Sequence, residues 1–171
     1  MNKLSYRLVV GYFILYVAIQ IPLLYKFNLG ANTLAFFYTG FLLFLPLGIR
    51  PVFRLLIGFA VGLFIDIFTN TPGLHAAISV FILFIRDQYY GFTVGETDDD
   101  PNLSIFRIGL KGVFLYLIPL IFAHLFFLFM IEHGKWEGFG LVLKRTLFST
   151  IFTVLTVIIL NFVVAKKPRR I

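Results

Sequence analysis

Apolar residues run along this chain in long, nearly charge-free blocks. They show neither the alternation of half-buried strands nor the one-sided stripe of a soluble helix. Four blocks stand out directly: 8–25, 33–48 (extendable back to Phe27), 112–131 and 146–165. Each is near the length with which a helix crosses about 30 Å of hydrocarbon, so each predicts a transmembrane helix. The block 8–25 is long for a secretory signal, and no A-x-A-like site follows it, so it reads as a retained first span.

The stretch from Pro51 to Ile85 is interrupted by Arg54 and Asp66, and a charge-free window alone would make 67–85 a single helix. That window contains Asn70-Thr71-Pro72-Gly73. Asn70 or Thr71 can cap, Pro72 suits a first helical turn, and Gly73 loosens the backbone, so the pattern predicts helices over 52–69 and 72–85 joined by a tight turn. The second is only about 21 Å long, so either Arg86 snorkels or the helix continues towards Tyr89. Six spans result in a single transmembrane domain, with one long hydrophilic loop at 86–111. Its Gly91, Gly95, Pro101 and the acids at 96–100 predict a solvated connection or, alternatively, a partner contact.

Composition agrees with the pattern. Hydrophobic residues make up 60% of the 171, charged residues 13%, and mean hydropathy is +0.95. A soluble core of this size cannot hide so much apolar surface, so the chain reads as an all-α integral membrane protein. The formal net charge of +7 could suggest nucleic acid, but the basic residues flank apolar blocks, and no basic stripe with interleaved aromatics lies outside them. Membrane lipid, not nucleic acid, is the expected surrounding.

An even number of spans puts both termini on one side. Placing them inside sets 11 Lys and Arg (3, 7, 50, 54, 86, 107, 111, 166, 167, 169, 170) against 4 outside (26, 135, 144, 145), which predicts cytoplasmic termini.

This threading puts most embedded polar side chains in the outer half of the membrane: Gln20, Asp66, His75, His124 and the face Thr146, Thr150, Thr153. The inner half is nearly featureless, Asn161 aside. Gly58, Gly62 and Asp66 recur every four residues and drift only about 80° around the axis, so they share a face where another helix can approach closely. A carboxylate in lipid costs about 3 kcal/mol at mid-depth, so Asp66 is expected to face protein or water. Across the turn it could meet the His75 imidazole or the free amides that open the next helix. An internal polar clamp, ligand or proton handling, and direct partner contact all remain open for Asp66. His75 and His124 read as core histidines or as ligands, and the threonines as bonding back to their own helix.

No cysteine, metal-ligand spacing, nucleophile motif or phosphate-binding loop is present. No cofactor, metal or catalytic residue is expected.

The hairpin GFAVGLFIDIFTNTPGLHAAISVFILFIR resembles the signature of the rod shape-determining MreD family, in which G-x-x-x-G-L-x-x-D precedes a short loop ending in G-L-H-A and a helix closed by Arg. The matching residues here are Gly58, Gly62, Leu63, Asp66, Gly73, Leu74, His75, Ala76 and Arg86. The resemblance implies a non-catalytic, multi-pass scaffold of the bacterial inner membrane that supports cell elongation and cell-wall synthesis. The implied partners are an MreC-like protein, an MreB-like filament, a SEDS-type glycosyltransferase and a class B penicillin-binding protein. Gly58, Gly62, Asp66, Gly73 and His75 are then structural or partner-contact residues.

Six helices with an outward polar cluster at Gln20, His124, Thr150 and Thr153 also resemble the S component of energy-coupling-factor vitamin transporters. This implies a similar fold and, as the competing function, small-molecule binding. Against that function, the first span lacks the A-x-x-x-A seam with which such proteins engage their transporter module.

Overall fold

The computed structural model describes Gly11, Phe13, Ile14, Tyr16 and Gln20 of the first block, together with residues 36–95, 105–135 and 137–164. The five positions in the first block are helical, and the expected ends at 8 and 25 lie outside the described residues, as does the acidic run 96–100. The remaining elements are α1 (Tyr38–Leu43), α2 (Pro51–Thr69), α3 (Leu74–Thr93), α4 (Ile105–Gly112), a π-helical turn (Val113–Leu117), α5 (Ile118–His133) and α6 (Phe139–Val164). The described residues contain no strand. Three stretches are long and apolar enough to cross a membrane: Pro51–Thr69, Ile108–His133 and Phe139–Phe162. The molecule is therefore a helical, membrane-type protein.

The local chemistry of the α2–α3 turn explains its boundaries. Pro51 opens α2 at its first turn. Asn70 closes it in the left-handed region at φ 56°, and the amides of Asn70 and Thr71 both return to the Asp66 carbonyl. Gly73, at φ 79°, is the N-cap of α3, so that helix starts at Leu74 and Pro72 lies outside its first turn, two residues later than the pattern predicts.

Three other expected boundaries also move. α3 runs through Arg86 to Thr93, beyond the predicted end at 85, and much of the expected loop 86–111 is helical among its described residues. α6 begins at Phe139 rather than 146. Its Lys144 and Arg145 lie within the helix, where Arg145 pairs with Glu132 at 2.8 Å and stacks 4.0 Å over the Phe129 ring.

The largest correction concerns 33–48. Its described part holds only the six-residue α1, which ends at Leu43 and continues as a turn. All six residues of α1 are buried. Irregular backbone at such a place is tolerated when protein encloses it and other side chains satisfy its polar groups.

α2 packs chiefly on α3, α5 on α6, and α3 on α5, with α1 enclosed between α3 and α6. At the α2–α3 seam, a Cβ added to Gly62 would lie within 2.5 Å of Ala76 N and His75 O, so only glycine permits this approach. The outward face of α2 exposes Val52, Phe53, Leu56, Phe59, Leu63 and Ile67, while its inward face buries Arg54, Gly58, Val61, Gly62, Ile65 and Asp66. This inversion of the soluble rule suits a lipid solvent.

Candidate functional site

Asp66 is 3% exposed and turned into the hairpin. Its Oδ1 accepts from the His75 amide at 2.9 Å and from the Thr71 hydroxyl at 2.9 Å, and its Oδ2 accepts from the Ala76 amide at 3.0 Å. His75 and Ala76 are the second and third residues of α3, the positions an N-cap side chain normally serves, and the N-cap itself is Gly73, which has none. Asp66 thus caps α3 from the preceding helix, with its carboxylate at the positive end of the α3 dipole. Of the two partners open on sequence grounds, the amides are the ones engaged. The residues of the resemblance therefore converge: Gly62 lets the helices close, Gly73 makes the turn, and Asp66 binds the helix start that closure presents. Gly58 lies one turn further on, where an added Cβ would meet the Leu83 side-chain tip at 2.5 Å.

The His75 imidazole points elsewhere. Its Nδ1 lies 2.8 Å from the Tyr38 hydroxyl, and the same hydroxyl lies 2.6 Å from His124 Nε2. A phenol has one proton, so Tyr38 donates to one ring and accepts from the other, which ties the two histidine tautomers together. All three side chains are buried. This chain joins α3, α1 and α5, and geometrically it can either hold them in register or relay a proton between the rings.

Tyr38 is held in place by the start of α1. The Phe36 amide donates to Thr153 Oγ1 at 3.1 Å, and the Phe37 amide donates to Gln20 Oε1 at 2.5 Å. Phe36 packs edge-on to Tyr38 and Phe129. Of the polar cluster expected from sequence, Gln20, Thr153 and His124 are thus gathered around one short helix. Thr150 is buried one turn earlier on α6, its hydroxyl without a hydrogen-bond partner among the described residues. Thr146 bonds back to the Val142 carbonyl at 2.8 Å, as expected of a threonine in a membrane helix, whereas Thr153 serves another segment. Tyr38, the centre of the cluster, was missed by sequence reasoning. Its only signal is a hydroxyl, followed by Thr39, inside an apolar block.

The far end of α1 carries a second polar cluster, where the pattern predicts little. Arg86 is 0% exposed; its Nη1 donates to the Leu42 and Leu45 carbonyls, each at 2.9 Å, and Tyr116 donates to the Leu43 carbonyl at 2.8 Å. Arg86 therefore does not snorkel. It caps the C-terminus of α1, as cations do at the negative end of a helix. Arg86 Nε bonds Asp87 Oδ1 at 2.9 Å, and Asp87 Oδ2 accepts from Arg54.

Comparison with family models, curated proteins and solved structures finds no match to this chain.

Proposed function

We propose that the chain is a non-catalytic membrane scaffold similar to MreD, acting in the cell-elongation machinery of a bacterial inner membrane with both termini cytoplasmic. In this reading it docks an MreC-like single-span partner and supports the MreB-like filament, the SEDS-type glycosyltransferase and the class B penicillin-binding protein in cell-wall synthesis.

The observation that carries the reading is the use made of the hairpin residues. Gly62, Gly73, Asp66 and the His75 amide interlock into one turn-and-cap unit, which suits a rigid docking element better than a reactive centre. Because Asp66 is buried and bonded within the hairpin, it serves a partner through the hairpin's shape and not by touching it.

The competing reading, a small-molecule site resembling a vitamin-transporter S component, draws on Gln20, His124 and Thr153. In this structure those side chains are bonded to the chain's own backbone or to Tyr38. The test is in-membrane cross-linking followed by co-purification from the native host. Recovery of a single-span protein with a periplasmic coiled coil supports the scaffold. A stoichiometric small ligand in native mass spectrometry, without such a protein, refutes it in favour of the S-component reading.

A further inference from the structure

Two guanidinium groups are buried together where α1 ends and α2 begins. Arg54 lies one turn into α2 and is 5% exposed, and Arg86 reaches the same place from α3. Asp87 bonds both, and it is the one acid bonded to either among the described residues. Arg86 spends Nε on Asp87 and Nη1 on two carbonyls of the α1 terminus. Its Nη2 and the Nε of Arg54 have no hydrogen-bond partner among the described residues.

Among the described residues the charge does not close. Two cations face one carboxylate, and the carbonyl end of a helix supplies only a partial negative charge. Buried guanidinium N–H groups that lack acceptors are strongly destabilising unless an anion meets them. The start of α2 adds to the same field: its N-cap, Arg50, makes no side-chain cap, and its first turn holds no acid. Arginine favours oxyanions with several oxygens, above all phosphoryl groups, because its planar fork matches their geometry.

We propose that Arg54 and Arg86, bridged by Asp87, form an anion site for a phosphoryl oxyanion, carried either by an anionic lipid headgroup or by free phosphate. Asp87 pairs with both guanidiniums and so competes with the anion for them. The carbonyl bonds of Arg86 anchor the site to α1.

The test is native mass spectrometry of the full-length protein with phosphatidylglycerol or phosphatidylcholine of identical acyl chains, together with an inorganic phosphate titration. Wild type is expected to retain the anionic lipid over the zwitterionic one by about tenfold, the worth of one charge-assisted hydrogen bond. Arg54→Gln is expected to lose that preference, and Asp87→Asn, which removes the competing carboxylate, to increase it. If phosphate binds without lipid and displaces it, the free anion is the ligand; if millimolar phosphate leaves lipid retention unchanged, the headgroup is. Equal retention of both lipids by wild type, with no phosphate-dependent rise in unfolding temperature, overturns the proposal. A preference unchanged in Arg54→Gln or not raised in Asp87→Asn also overturns it. Should Arg54→Gln not fold, Arg54→Lys keeps the charge without the fork, and undiminished preference there counts equally against the site.

Discussion

Asp66→Ala would remove one acceptor group from three donors: the His75 and Ala76 amides and the Thr71 hydroxyl. No local side chain can replace it, because the N-cap of α3 is glycine. Loss of an N-cap costs about 0.5–2 kcal/mol, and each buried donor left unsatisfied costs about 1–3 kcal/mol. These figures overlap, because they describe partly the same bonds. A total of about 3–4 kcal/mol is the consistent value. Asp66→Asn keeps one carbonyl oxygen but turns an NH2 group towards the remaining donors and loses the charge at the helix start, for about half that cost. In a chain of this size 1 kcal/mol moves the unfolding midpoint by roughly 2–4 °C, so the alanine variant should melt about 10 °C lower and the asparagine variant about 5 °C lower. Thermal unfolding in a single detergent, followed by circular dichroism, measures this, and hydrogen exchange at His75 and Ala76 locates it. An alanine variant melting within about 2 °C of wild type, with both amides still protected, refutes the capping argument.

Gly62→Ala should destabilise far more than Gly58→Ala, by about 3 kcal/mol against about 1 kcal/mol, and the same melts compare them. The first new methyl meets backbone of Ala76 and His75, whereas the second meets mainly a movable Leu83 tip. Tyr38→Phe leaves His75 Nδ1 and His124 Nε2 without their shared partner and should cost about 2–4 kcal/mol. Adding His124→Phe should cost less than the sum of the two single changes, because it removes one of the stranded groups; strict additivity in the double-mutant cycle refutes the coupling.

The hairpin was legible in the sequence because its determinants are local. Asn70 and Gly73 stop one helix and start the next within four residues, and the four-residue recurrence of Gly58, Gly62 and Asp66 marks the buried face. The polar cluster was legible as a set, since threading antiparallel spans brings Gln20, His124 and Thr153 to one level, but its centre at Tyr38 was not. α1 was misread for a physical reason. Apolar content reports which solvent a segment prefers, while the path of 36–45 is decided by amides donating to Gln20 and Thr153 and carbonyls accepting from Arg86 and Tyr116. α3 extends past its expected end because Arg86 and Asp87, which look like an interface boundary in one dimension, are paired inside the fold. At the early start of α6 the charge is met differently, by an exposed pair of Arg145 with Glu132 and the Phe129 ring face.

α1 is too short to sustain itself, and the side chains that complete it are scattered from Gln20 to Thr153. During synthesis the acceptor for the Phe36 amide emerges more than a hundred residues after it. The hydrogen bonding of α1 is therefore complete only once α6 is in place.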